Sequence, residues 1–322
     1  MPTNVDIDPA VLAAAAGQTV IITGAAGGIG AATAVLFSEH GANVVIADLA
    51  SARTAATETL IPSLAHPERA VFVPVDILNW ADMQALFKTA VATFGRVDVV
   101  VANAGIMETA PVLDMDAVDA AGDLLESREA FKVLDVNIKG TLNTIRLGIH
   151  TMRHNERRNQ AKDADADADN GLSAGSIVLV ASTSGYFGGT SVAGYITSKH
   201  GVVGLLRSCR ATATQHGIRI NAVAPFFTPT HITASYADAW QAAGLEANTP
   251  RDVAGVIAQQ ALNTQVTGTC VLACGRIRRE LETTRAALVG QWMGEDVTAL
   301  MAGAGKLFAE LGGYPLPKKR EA

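Results

Sequence analysis

Seven short, nearly continuous apolar runs punctuate the first 275 residues, and longer alanine-rich stretches separate them. The runs fall at 19–23, 43–47, 70–75, 97–102, 176–181, 219–223 and 268–273. They are rich in Val and Ile and do not alternate with polar residues, so they read as strands covered on both faces. The stretches at 29–40, 81–94, 129–154 and 195–216 carry helical character. Strand-helix alternation of this kind restricts the topology severely. It predicts an α/β fold: a doubly wound, parallel, seven-stranded sheet with helices on both faces and right-handed crossovers. With 49% apolar residues in 322 there is ample material for one large core, so residues 1–275 are expected to form a single domain.

Charge narrows the function classes. Lys and Arg total 25 against 31 Asp and Glu, a net charge of −6, which argues against nucleic acid or an anionic membrane as partner. Residues 9–38 contain no charged side chain, but five glycines and several polar residues break that stretch, so it does not read as a membrane span. The first Lys or Arg is Arg53, so no basic leader is expected and the protein is expected to be soluble and cytosolic. Three cysteines make no disulfide framework.

Two segments stand apart from the alternating pattern. Residues 153–175 are polar and include an Asp-Ala repeat from Asp163 to Asp169, which reads as a surface insertion. A calcium loop is excluded by Ala168 and Ala174 at positions that require Gly and Glu. Residues 276–312 read as a C-terminal extension of one or two amphipathic helices, followed by a Pro-rich basic tail. No metal site is expected: His150 and His154 are four apart on a helix but lack a third ligand. Cys270 and Cys274 lie on one strand roughly 13 Å apart, too far to bond.

The chemistry starts at Thr23 to Gly30, TGAAGGIG, directly after the first strand and opening a helix. Glycines there permit a tight turn and let a diphosphate approach the backbone and the positive helix terminus, which assigns Thr23, Gly24, Gly28, Ile29 and Gly30 to a dinucleotide. Asp48 ends the second strand, where a carboxylate accepts both adenosine ribose hydroxyls and repels a 2′-phosphate. No Lys or Arg lies in the glycine loop or immediately after Asp48, so NAD is expected rather than NADP. Asp76 and Ile77, closing the third strand, are placed to meet the adenine. Further on, Tyr195 and Lys199 are spaced i,i+4, which puts phenol and ammonium on one helix face. Tyr314 and Lys318 repeat the spacing, but two intervening prolines forbid a regular helix there.

Gly24, Gly28 and Gly30, the Asn103, Ala104, Gly105 triplet, Asn137, Ser182, Tyr195 and Lys199 together resemble the short-chain dehydrogenase/reductase family over residues 17–275. The resemblance implies that Asn103 to Gly105 support the sheet and the cofactor, and that Asn137, Ser182, Tyr195 and Lys199 form a catalytic tetrad. It also implies that Pro225, Thr228 and Thr230, after the sixth strand, meet the carboxamide and diphosphate. The sequence departs from the family at Ala102, where a second Asn is common, and at Phe226, where Gly is usual. It also continues for 47 residues beyond Gly275. Residues from Pro225 to Thr233 and the extension look like fungal-type members acting on bulky secondary metabolites.

A phenol near pKa 10 is a poor base, but an ammonium about 4 Å away contributes roughly 4 kcal/mol at an effective dielectric of 20. Tyr195 is therefore expected to titrate near working pH and take the alcohol proton while the nicotinamide takes hydride. Ser182 holds the substrate oxygen, Lys199 also holds the ribose, and Asn137 anchors a relaying water. The expected protein is an NAD-dependent dehydrogenase of a secondary alcohol, with the reductase direction, a non-redox enzyme and a non-catalytic NAD-binding scaffold as alternatives. The extension is expected to obstruct an edge-strand interface and leave a homodimer held through the long helices around Asn137 and Tyr195.

Overall fold

A computed structural model of the chain describes residues 3–155 and 174–317. The acidic run at 163–169 and the basic end of the tail, including Lys318, lie outside the described residues. Each predicted apolar run becomes a strand: β2 (Thr19–Thr23), β3 (Asn43–Asp48), β4 (Ala70–Pro74), β5 (Val99–Ala102), β6 (Gly175–Val180), β7 (Ile218–Pro225) and β8 (Cys270–Cys274). They are parallel, in the order β4-β3-β2-β5-β6-β7-β8.

The sheet is wider than the expected seven strands. β9 (Ile277–Glu280) runs antiparallel to β8, and β1 (Thr3–Asn4) runs antiparallel to β9, giving nine strands. Gly275, at φ +56°, and Arg276 form the two-residue turn that brings Ile277 opposite Cys274. The Ile-Arg-Arg-Glu sequence of β9 lacks an apolar run because it sits toward the sheet edge, where polar side chains reach water. The expected helical start of the extension is thus a strand, and this strand covers the free edge of β8.

Helices cover both faces. On one side lie α3 (Trp80–Phe94), α4 (Arg128–Leu134), α5 (Thr141–Met152) and α6 (Ala193–Gln215). Ile21, Val45, Val100, Ile177 and Ile220 of the strands meet Met83, Leu86, Ile145 and Leu206 there. On the other side lie α1 (Pro9–Ala13), α2 (Gly28–Glu39) and α7 (Pro250–Leu262), where Val20, Ile22, Val44 and Val101 meet Phe37, Val253 and Ile257. Successive strand residues therefore enter opposite cores, which is why these strands read as unbroken apolar runs. The predicted helix at 129–154 is interrupted by a π-helical turn, Asp135–Gly140, between α4 and α5. Such turns add a residue to the helical repeat and re-aim the side chains within it, here Asn137.

The extension continues as α8 (Glu282–Ala287), α9 (Val289–Met293) and α10 (Glu295–Glu310), three helices rather than one or two. Its root is well anchored. The Glu280 carboxylate accepts from the amides of Cys270, Glu282 and Thr283, and the buried Glu282 takes two bonds from Arg207 and one from Tyr186. Beyond that root no residue of α9 or α10 is buried, and Trp292, Leu300, Met301, Leu307 and Leu311 are exposed. At the base of the insertion, Asn155 is buried and donates to Val97 O and Ala174 O at 2.6 and 2.8 Å.

The strand order reverses between β2 and β5, so the loops after these two strands diverge and leave a crevice at their carboxyl ends. Among the described residues, no helix is long and apolar enough to cross a membrane.

Candidate active site

The crevice is held open by a small hydrogen-bond cluster. Asn103 at the end of β5 donates its side-chain amide to Thr23 O and Gly24 O, both at 2.9 Å. The amides of Asn103 and Ala104 donate back to Thr23 Oγ1 at 3.1 and 3.2 Å. Gly24 sits at φ +65°, and a Cβ there would lie 2.8 Å from Ala104 Cα. A Cβ on Gly30 would run into Gly24 O and the Asn103 amide, so the first turn of α2 requires glycine. The N-cap of α2 is Gly27, without a side-chain capping bond, so no side chain occupies the helix start on which Ile29 and Gly30 lie. These features fit a dinucleotide diphosphate: a side-chain-free cradle, leading to a helix start that no side chain covers.

Asp48 ends β3 at the lip of this loop, with one carboxylate oxygen accepting from Ala26 N at 2.9 Å and the other from Leu49 N at 2.8 Å. Each oxygen keeps lone-pair capacity for a hydroxyl. Arg53, the first cation after Asp48 in sequence, lies over the Phe72 ring, 5.3 Å from its centroid. Asp76 is exposed and accepts from Leu78 N of its own loop at 2.9 Å. Ile77 is buried beside Gly140, and its carbonyl accepts from the Asn143 amide at 2.9 Å. Past Pro225, Thr228 is buried between Phe226 O and the Asn248 amide, each bond 3.0 Å. The methyl of Thr230 lies 3.3 Å from where a Cβ on Gly28 would stand. The loop after β7 therefore brings Thr230 against the glycine loop, while the Thr228 hydroxyl is bonded within its own loop and to Asn248.

Asn137, Ser182, Tyr195 and Lys199 come from the π-helical turn, the end of β6 and the first two turns of α6. The Asn137 side chain donates to Ile106 O and Ser198 Oγ, both at 2.8 Å, and accepts from Ile106 N at 2.9 Å. It stitches the loop after β5 to α6; both of its donors are used and one lone pair remains. A Cβ on Gly105 would lie 3.2 Å from Asn137 Oδ1 and 3.5 Å from Lys199 Nζ, so Gly105 leaves the space between them. Lys199 Nζ donates to Val180 O at 2.9 Å and lies 5.5 Å from the centroid of the Tyr195 ring. The Ser182 hydroxyl is close enough to the Tyr195 phenol to pull its pKa down, and it accepts from Ser184 N at 3.1 Å.

The electrostatics differ from the expectation of a phenol activated by its lysine. Burial pushes the Tyr195 phenol above its ordinary value; Ser182 pulls it down, while Tyr236 and Glu108 push it up. Burial also pushes Lys199 down to about 8, because the ammonium gives up its water for one carbonyl. At the Tyr195 phenol desolvation outweighs the lowering by Ser182.

Three features of the site go beyond the sequence reading. The first is Glu108, a buried carboxylate that accepts from Gly194 N at 3.1 Å and Tyr195 N at 2.9 Å. The only sequence signal for it is negative: Val192 occupies the N-cap of α6, where a Ser, Thr, Asp or Asn is favoured. The second is an aromatic group on the loop after β7. Phe227 stacks on Trp240 with centroids 4.4 Å apart, Phe226 meets the same indole edge-on at 5.3 Å, and Tyr236 lies 5.3 Å from Phe227. The third is Tyr186, four residues past Ser182, which ties the Ser182 loop to Glu282 of the extension at 2.9 Å.

Comparison with known proteins agrees with this geometry. A family model described as short chain dehydrogenase matches residues 18–240. The short-chain dehydrogenase/reductase prx4 of Penicillium roqueforti is 32% identical over 297 residues, covering 86% of this chain and 80% of that protein. Cis-4-hydroxycyclohexanecarboxylate dehydrogenase of Sinomonas cyclohexanicum is 32% identical over 298 residues, covering 92% and 96% of the two chains. A solved short-chain dehydrogenase/reductase from Mycobacterium marinum shares the fold with a TM-score of 0.66 at 23% identity, covering 82% of this chain and 96% of that one. The chain belongs to the short-chain dehydrogenase/reductase family of oxidoreductases, which use a nicotinamide dinucleotide.

Proposed function

We propose that the protein is an NAD-dependent dehydrogenase of a secondary alcohol carried on a bulky, ring-bearing, apolar molecule. The observation that carries this reading is the contact of the Ser182 hydroxyl with the Tyr195 phenol, above the Lys199 ammonium and beside the glycine crevice. A bound nicotinamide supplies the hydride acceptor. Tyr195, as phenolate, takes the proton from the substrate hydroxyl, and Ser182 Oγ donates to the substrate oxygen as it becomes a carbonyl. Lys199 keeps one N–H on Val180 O, which leaves two for a ribose and holds its charge close to the phenol. Asn137 fixes Ile106 against α6, and the remaining lone pair of its Oδ1 is available to a water that carries the proton outward.

Asp48 supports NAD over NADP: its carboxylate is held at the lip of the loop, and Arg53 is occupied by Phe72. The aromatic group of Phe226, Phe227, Tyr236 and Trp240 supports a ring substrate, because Tyr236 is close enough to the Tyr195 phenol to perturb it. The Sinomonas relative is named for a hydroxyl on a cyclohexane ring. In the same reading residues 1–275 form the binding and catalytic domain, the protein works in the cytoplasm, and it assembles as a dimer through α4, α5 and α6. The exposed Phe131 and Leu142 on that side support the dimer, as does β9, which occupies the alternative β8 edge. NADH formation across secondary alcohols, from aliphatic to polycyclic, tests the activity. Turnover confined to small aliphatic alcohols rejects the ring substrate, and no turnover of any alcohol rejects the dehydrogenase. Native mass spectrometry that shows a tetramer rejects the dimer.

A further inference from the structure

The helix that presents Tyr195 and Lys199 has no cap of its own. Val192 stands at its N-cap without a side-chain bond, and the preceding Ser191 is the single non-glycine residue with positive φ among those described, at 59°. The first turn of a helix leaves its leading amides without intrahelical partners, and inside a protein these must be satisfied from elsewhere. Glu108 does this across 86 and 87 residues of sequence, accepting from Gly194 N and Tyr195 N with its two oxygens. Its loop is tightly held: two residues back, Ile106 is bonded through N and O to Asn137, and one residue on, Thr109 donates twice to Glu129 of α4. Gly194 permits this closeness, since a Cβ there would lie 3.3 Å from Ala130 Cα and 3.5 Å from a Glu108 oxygen.

We propose that Glu108 is a positioning residue of the active site: its carboxylate caps α6 from the loop after β5, fixing the backbone of Tyr195. Two consequences follow from the bond geometry. The cap sets where the phenol points, because the Tyr195 amide itself is one of the two donors. It also places a negative charge near the phenol and makes phenolate formation harder, the direction in which Glu108 acts on Tyr195. The groups facing the phenol are Lys199 on its own helix, Ser182 from β6, Tyr236 from the loop after β7, and Glu108. On the α4 side of the Glu108 loop, Glu129 is taken up by Thr109 and faces Lys132. Removing the Glu108 charge therefore removes one of the groups that push the phenol up.

This inference rests on the dehydrogenase reading for its kinetic arm and is independent of it in its structural arm. Glu108→Gln keeps the side-chain shape and one acceptor oxygen but removes the charge. In the enzyme with NAD bound, the acid limb of kcat/KM for alcohol oxidation should move to lower pH by about half a unit or more. Glu108→Ala removes the cap as well; kcat should fall at least tenfold while the Kd for NAD changes less than threefold. Hydrogen exchange of the full chain should show protection lost at both the Gly194 and Tyr195 amides in Glu108→Ala, and kept at only one of the two in Glu108→Gln, whose single carbonyl oxygen replaces two acceptors. An unmoved pH limb in Glu108→Gln, or unchanged protection of those two amides in Glu108→Ala, overturns the proposal. If the wild-type protein oxidises no alcohol, the dehydrogenase reading fails, and hydrogen exchange still decides whether Glu108 caps the helix.

Discussion

Lys199 is costly to bury, and the cost is measurable. Its ammonium is buried with one carbonyl partner, Val180 O at 2.9 Å. Burial displaces it from 10.5 to about 8, which at about 1.4 kcal/mol per pH unit means that the charged form destabilises the folded chain by about 3 kcal/mol. Replacing it by Met removes that penalty but leaves Val180 O without its donor, a loss of about 1 kcal/mol. Lys199→Met should therefore make the cofactor-free protein more stable at pH 7 by about 2 kcal/mol while destroying turnover. The pH dependence carries the sign. The unfolded lysine stays protonated up to about 10.5, so the wild-type penalty is full below about 8 and fades as pH rises between the two values. The advantage of Lys199→Met should thus be present at pH 7 and largely gone near pH 10. Urea denaturation of both proteins at the two pH values, followed by tryptophan fluorescence, reads this directly. A variant less stable than wild type at pH 7, or an advantage that does not vary with pH, refutes the reasoning.

Asp48→Ala combined with Leu49→Arg should move the preference from NAD toward NADP, whereas wild type should bind NAD at least tenfold tighter, about 1.4 kcal/mol by titration calorimetry. Equal wild-type affinities contradict the role given to Asp48. Glu282→Ala strands the Arg207 guanidinium and the Tyr186 hydroxyl, and should cost about 3 kcal/mol by chemical denaturation. Burial raises the Glu282 carboxyl, but the bonds from Arg207 and Tyr186 hold it below 4.5, so its contribution is present above that pH and lost as pH falls through the folded value. A chain ending after Ala287 keeps β9 and the Glu282 anchor and removes only α9 and α10, so it should fold. If those helices close the pocket its KM rises, and if they are an outlying cap its KM stays as it was.

The parallel sheet was legible because burial on both faces erases polar alternation, leaving runs such as Val20 to Ile22 and Val99 to Val101 that allow no other reading. β9 was hidden for the opposite reason: a strand next to the sheet edge with Arg278 and Arg279 carries no apolar signature, and a Gly-Arg turn marks it only once Cys274 is known to end a strand. The site divided in the same way. Glycine geometry, a carboxylate at a strand end and i,i+4 spacing are local, so Gly24, Asp48, Tyr195 and Lys199 could be named and were found around one crevice. Glu108 and Tyr186 act through contacts between residues far apart in sequence. The raised Tyr195 phenol was missed for a different reason: attraction to Lys199 can be computed from spacing, whereas desolvation depends on what the fold stacks around the ring.

The central claim is that Tyr195 moves the proton in an oxidation that uses bound dinucleotide. The measurement that tests it most directly is steady-state turnover of Tyr195→Phe, with the dinucleotide Kd taken on the same preparation. The Phe ring keeps the packing over Lys199 and loses only the hydroxyl that meets Ser182. The account predicts that kcat falls at least a hundredfold while the Kd for NAD stays within a factor of about three. A Tyr195→Phe protein that keeps most of its turnover contradicts it.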